Sequence, residues 1–183
     1  VEVSDTMACF DDPAALADLS LIVPVWTMST IEQAQSENVA AAVASGVGLA
    51  GCHGGMCDAF RNDVLWQFMT GAQWVAHPGN DGVDYRVRMV TDDPLVAGIG
   101  DFMVKTEQYY LHYDPAVTVH AVCDFPVVDG PHAANGPVSV PIVFTKRWGQ
   151  GRVYYNALGH QANVIDHGPA HEMLRRGLLW AAR

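Results

Sequence analysis

A glycine-bracketed histidine at the end of an apolar run, Gly51-Cys52-His53-Gly54-Gly55 after Val47-Gly48-Leu49-Ala50, restricts the architectures open to this chain more than any other segment. A strand that ends, turns sharply between glycines, presents one side chain at the edge of a sheet and then enters a helix has the outline of a nucleophile elbow. Here the presented side chain is His53. Strand side chains alternate between faces, so Cys52 is predicted to point away from His53, and a cysteine nucleophile is not expected at this turn. The plainer reading of the same residues is a backbone turn with His53 as a hydrogen-bonded bystander.

The flanking pattern extends this outline. Asp11-Asp12-Pro13 followed by Ala14 to Leu19 predicts a short helix with acidic residues and proline at its start. Leu21-Ile22-Val23-Pro24-Val25 reads as a strand covered on both faces. Ser29 and Glu32 have capping-box spacing ahead of a helix over 32–45, which Gly46 ends, and 47–52 is the next strand. Strand, helix, strand in succession implies a parallel crossover and helices on both sides of a sheet.

Beyond the elbow, Phe60, Val64, Leu65, Phe68 and Met69 have helical spacing, predicting one helix over 58–69 whose start forms a weak anion-binding end near His53. Alternating strands follow at 73–78, 85–90 and 117–122, with polar loops at 79–82 and 129–136. Pro141 to Phe144 and Arg152 to Asn156 flank Trp148-Gly149-Gln150-Gly151 as a hairpin, and 170–182 is a closing helix.

Composition narrows the class. A chain of 183 residues, half of them hydrophobic, buries a full core and is read as one domain. Acidic residues outnumber basic ones 20 to 10 and no basic cluster exceeds Arg175-Arg176, which argues against a nucleic-acid partner. No apolar stretch approaches the roughly 20 residues that span a bilayer, and no basic-then-apolar leader opens the chain, so a cytoplasmic protein without a membrane partner is expected. Cys9, Cys52, Cys57 and Cys123 form no Cys-x-x-Cys pair and read as free thiols. The apolar balance and a hairpin expected to be exposed over 144–155 suggest a homo-oligomer.

Several segments together, in order and spacing, resemble the trehalose-utilisation (ThuA-like) family. They are Gly46 to Gly55, His77-Pro78, Asp93-Pro94-Leu95-Val96-Ala97-Gly98, Glu107-Gln108-Tyr109 and Trp148 to His160. The resemblance covers nearly the whole chain. It implies a three-layer flavodoxin-like α/β sandwich of the class I glutamine amidotransferase-like type, mostly parallel with antiparallel additions. It also implies that His53 stands where the amidotransferase cysteine would be, so that glutamine hydrolysis is not the activity. Family members begin with a further strand and a loop bearing His and Glu. This chain opens at Val1-Glu2-Val3, which reads as a second strand already under way, so a first strand upstream of the single domain 1–183 is expected.

Ligand crevices in open α/β sheets lie beyond the carboxyl ends of the strands. His53 and His160 both follow strands and are expected to converge there, with Glu107, His77 and His112 as companions. His53, His160 and Glu107 are the candidate catalytic groups, offering imidazoles and a carboxylate for acid/base work. His77, His112, Tyr109 and Trp148 are candidate substrate contacts, and Trp26 and Tyr110 add aromatic surface on which sugar rings stack. The resemblance implies a small-molecule carbohydrate, a disaccharide or its keto derivative, as the ligand. His53, His160 and Glu107 are alternatively ligands of a divalent metal such as zinc. The competing class is a non-catalytic sugar-binding or assembly module on the same scaffold. Arg152 reads as a brace for the hairpin, Cys57 as a buried thiol, and nothing in the pattern assigns a role to His120, His132, His167 or His171.

Overall fold

The computed structural model describes residues 1–166 and 168–183; His167 lies outside them. Its spine is a seven-stranded sheet built from β1 (Leu21–Ile22), β2 (Gly48–Cys52), β4 (Val83–Met89), β5 (Phe102–Thr106), β7 (Thr118–Phe125), β8 (Val138–Trp148) and β9 (Gly151–Asn156), in the order β1-β2-β9-β8-β7-β4-β5. The first three strands in that order run parallel, and every later neighbour is antiparallel. A separate antiparallel pair, β3 (Ala72–Ala76) and β6 (Tyr110–Tyr113), stands beside the main sheet.

Helices close both faces of the parallel half. Strand alternation sends Tyr154 to one face of β9, where its hydroxyl donates to Met173 O of α6 (Gly168–Ala181), the helix after the single turn α5 (Ala162–Ile165), and Tyr155 to the other. A Cβ on Gly177 would lie 2.1 Å from the Tyr154 ring, so only glycine lets α6 approach this closely. On the second face lie α2 (Gln33–Ala44) and α4 (Val64–Thr70); Trp148 Nε1 donates to Ala40 O at 3.0 Å and seals α2 to the sheet. The short α1 (Pro13–Asp18) packs on α2, and Asp12 caps it by accepting from Ala14 N and Ala15 N. Leu49, Ile142, Phe144, Val153, Tyr154 and Tyr155 form the innermost core.

Several elements depart from the sequence pattern for definable reasons. The run at 21–25 pairs only over Leu21–Ile22, because β1 is an edge strand, Pro24 has no N–H to give, and Val23 and Val25 are exposed. Val1-Glu2-Val3 is exposed coil, not a strand. The capping box of α2 uses Glu32 and Gln35, one turn later than Ser29 and Glu32. The helix expected over 58–69 forms only as α4: residues 58–63 are turn and coil, and the single turn α3 (Gly54–Cys57) precedes them. Asp63 sets the start of α4 by accepting from Trp66 N at 2.6 Å, and Asp58 is the residue that ends α3, so no anion-binding helix start lies at Asp58. The hairpin of β8 and β9 is central and largely enclosed, not exposed, over 144–155: Phe144 and Tyr155 are fully buried, and only the turn around Gly149-Gln150 reaches the surface.

Candidate functional site

Four separate segments deliver side chains to one place at the carboxyl ends of β2 and β9. The elbow residue His53 has its N–H donating to Asn156 O (2.7 Å) and its carbonyl accepting from the Tyr155 hydroxyl (3.2 Å), so β9 grips it at both main-chain groups. Its backbone is held at φ +49°, ψ −144°, a conformation that costs a non-glycine residue about 1–3 kcal/mol and persists only where neighbours enforce it. His160 returns over the elbow through Gly159, at φ +126°, where a Cβ would stand 3.2 Å from Cys52 Sγ. His77 follows β3 directly.

Glu107 lies on the bridge from β5 to β6, and that bridge is pinned along its length. Its carbonyl accepts from the Tyr85 hydroxyl at 3.0 Å. Next to it, the buried Gln108 donates to Asp124 O (2.9 Å) and accepts from Val127 N (3.2 Å). The Tyr109 hydroxyl then reaches His53 Nδ1 at 3.0 Å, with the two rings 4.0 Å apart.

Three imidazoles surround this one carboxylate. His53 Nε2 is 3.2 Å and His160 Nδ1 3.4 Å from Glu107 Oε2, while His77 Nδ1 is 3.7 Å from Oε1. His53 and Glu107 are buried, whereas the side chains of His160 and His77 are 34% and 29% exposed and form the mouth. Burial first, then repulsion from His160 and His77, pushes the His53 pKa down to about 3, so its ring is neutral near pH 7 and its approach to Glu107 is not an ion pair. Burial likewise keeps the Tyr109 phenol protonated. His53 Nε2 and His77 Nδ1 are buried atoms that make no hydrogen bond despite the nearby carboxylate. Among the described residues, His53, Glu107 and His160 offer donor atoms that all lie within 4.8 Å of one another, a set able to hold a metal ion.

The thiols beside the elbow are not poised as nucleophiles. Burial raises the pKa of Cys52 and raises that of the fully enclosed Cys57 well above the ordinary thiol value.

The geometry thus assembles His53, His160, Glu107, His77 and Tyr109, and it leaves out His112 and Trp148. His112 is exposed on β6, where it lines a surface groove with Phe68 and Gly71; its side chain has the opposite alternation to Tyr109, whose ring sits on His53. Trp148 pairs with Gly151 at the start of β9, so the strand separates it from Asn156 by about 17 Å at roughly 3.3 Å per residue. Its ring packs on Phe68 instead.

The sequence pattern gave no positioning role to Tyr155 or Gln108, which hold the backbone of His53 and the segment carrying Glu107, and did not single out Arg61 and Trp74, which form a wall with Asp58. There Arg61 forks onto Asp58 at 2.5 and 2.9 Å and lies 4.4 Å over the Trp74 ring, which is 5.3 Å from that of His77. Only Arg61 at three residues from Asp58 is a local signal; Trp74 joins through tertiary packing.

A family model described as trehalose utilisation, ThuA, matches residues 1–181. The chain belongs to the ThuA family. Among solved structures, a putative ThuA-like protein from Bacteroides uniformis superposes with a TM-score of 0.72 at 16% identity, covering 98% of this chain and 76% of that one. One from Parabacteroides merdae gives 0.70 at 16% identity over 99% and 76%, and a cytoplasmic protein from Salmonella typhimurium gives 0.68 at 14% over 94% and 76%. At these identities the likeness establishes the ThuA fold, the flavodoxin-like α/β sandwich. No curated protein matches the sequence. No helix among the described residues of this ThuA protein is long and apolar enough to cross a membrane.

Proposed function

We propose that this protein is a sugar-processing enzyme that transfers protons to and from a disaccharide or its keto derivative in the cleft between His53, Glu107, His160 and His77. The observation that carries the reading is the convergence of three imidazoles on one buried carboxylate beneath a mouth lined by two of them. Family membership in trehalose utilisation supports the substrate class. Hydrolysis, elimination and isomerisation of a sugar each need a group that takes a proton and another that returns it, and neighbouring imidazoles and a carboxylate supply both near neutral pH. Tyr109 fixes the His53 ring, and Trp74, backed by Arg61, offers aromatic surface beside His77 for a sugar ring. The protonated, enclosed thiols speak against cysteine-based glutamine hydrolysis. The protein is expected to work in the cytoplasm on a free small carbohydrate.

The test is turnover of disaccharides and their keto derivatives by the natural chain and by Glu107→Gln and His160→Ala. A loss of about 10²–10⁴-fold in kcat, with sugar affinity largely kept, is expected for Glu107→Gln. Saturable sugar binding with no turnover across the panel would instead make the protein a binding module, and full activity in both variants would remove the cleft as the reacting centre.

A further inference from the structure

The unpartnered donor atoms of the cleft have a more specific meaning than a histidine-rich pocket. A buried polar atom without a hydrogen bond costs about 1–3 kcal/mol, and His53 Nε2 and His77 Nδ1 are both of this kind, within 3.7 Å of the same carboxylate. The carboxylate cannot pair well with every ring around it. A cation between the rings and the carboxylate resolves that conflict.

From the geometry we infer that His53 Nε2, His160 Nδ1 and Glu107 Oε2 form a binding site for one divalent transition-metal ion, zinc above all.

The spacing fits. A tetrahedral ion with bonds of about 2.0–2.1 Å has ligand-to-ligand edges of about 3.4 Å. The observed Nε2–Oε2 and Nδ1–Oε2 separations are 3.2 and 3.4 Å, and the three donor atoms lie within 4.8 Å of one another. Two imidazoles and one carboxylate are a ligand set of intermediate hardness that leaves a fourth position for water or substrate, and they come from three different segments, so no ligand motif is visible in the sequence.

The surroundings have what such a site needs. A histidine ligand is oriented by a partner on its second ring nitrogen, and the Tyr109 hydroxyl stands 3.0 Å from His53 Nδ1, placed to accept the N–H when Nε2 binds an ion. Tyr155 and Asn156 fix the His53 backbone, and Tyr85 fixes that of Glu107. Both ligands are thus placed by bonds that do not depend on the ion. His160, on the rim, admits the ion from solvent. This inference rests on the same cleft as the proposed function and deepens it: three of the groups hold an ion able to polarise a sugar carbonyl or hydroxyl, and His77, across Glu107 Oε1, is the imidazole left to move a proton.

The experiment uses tag-free protein stripped with chelator, titrated with Zn²⁺ and separately with Co²⁺, with no sugar present. Calorimetry and elemental analysis after dialysis are expected to show one tightly held ion per chain, and the Co²⁺ form to show the visible absorption of a low-coordinate nitrogen and oxygen site. Glu107→Gln and His160→Ala should each weaken binding at least 100-fold, Tyr109→Phe about 10- to 100-fold through the lost orienting bond, and the surface variant His112→Ala not at all. Circular dichroism confirms that each variant is folded. Absence of a stoichiometric ion in the natural chain, or binding unchanged in Glu107→Gln and His160→Ala, overturns the inference. Sugar turnover that is unaffected by chelation, together with no ion binding, would overturn the metal site and leave the proposed function standing, whereas stoichiometric binding with no turnover would do the reverse.

Discussion

The two ends of the central strands treat their charges in opposite ways. At the start of β9, on the neighbouring strand β8, Lys146 is all but enclosed, with its side chain 6% exposed, yet it is fully met: Asp114 Oδ2 at 2.6 Å, the Phe68 carbonyl, and the Phe68 ring 4.5 Å from its ammonium. At the far end of β9, Glu107 faces three imidazoles at 3.2–3.7 Å, and two of their buried nitrogens have no hydrogen bond. Even among buried histidines the contrast holds. His120 has both ring nitrogens engaged, by Thr91 Oγ1 at 3.2 Å and Thr145 Oγ1 at 2.9 Å, whereas His53 has one. The saturated groups at one end brace the fold, whereas the orphaned nitrogens of His53 and His77 at the other face the cleft proposed as the reacting centre. Substitutions at the two ends should therefore separate activity from stability.

The largest effect is expected for Glu107→Gln, which should lower turnover about 10²–10⁴-fold while the melting temperature scarcely moves. A substantial loss of stability in this variant would mean that Glu107 is structural and would erase the difference between the two ends. At the other end, Asp114→Ala strands the enclosed Lys146 charge and is expected to cost about 3–5 kcal/mol in denaturant unfolding, with turnover unchanged. The same pair gives a pH signature. Lys146 holds the Asp114 carboxyl below its ordinary value, so the bond contributes stability above about pH 4 and loses that contribution as the pH falls through the lowered folded-state value. Stability curves of the natural chain and Asp114→Ala should converge in acid, and parallel curves down to pH 2 would show that the pair is not what holds this end.

Smaller again is Thr145→Val, which leaves His120 Nε2 unpartnered and should cost about 1–3 kcal/mol with no change in turnover. Loss of turnover there would tie His120 to the site and weaken the distinction between the two kinds of buried imidazole.

What the sequence disclosed follows from the range of each interaction. The convergence of His53, His77 and His160 was legible because each follows a strand in the chain itself, and the strand ends of an α/β sheet are where a crevice opens. The βαβ start was legible for the same reason, since β1, α2 and β2 are consecutive. The helix expected from Asp58 starts instead at Val64 because Asp63 caps its first turn while Asp58 closes α3, a competition that helical periodicity does not register. Tyr155 and Gln108 position the site through bonds spanning 102 and 16–19 residues, and no local pattern marks such partners. Trp148 was misread because it belongs to the same continuous segment as His160. The intervening extended strand β9 carries the two residues to opposite ends of the sheet.

That last point has its own measurement. Trp148→Phe keeps an aromatic ring against Phe68 but removes the pyrrole ring, with its packing and the N–H that donates to Ala40 O. A single neutral hydrogen bond contributes about 1 kcal/mol, so a loss of at least that order is expected in denaturant unfolding, together with unchanged sugar affinity and turnover. If Trp148 stacked on substrate, KM would rise with little change in stability. The ratio of the two effects therefore reports which end of β9 the tryptophan serves, and an affinity loss would require the chain to bind sugar at the hairpin turn instead of at the histidine cleft.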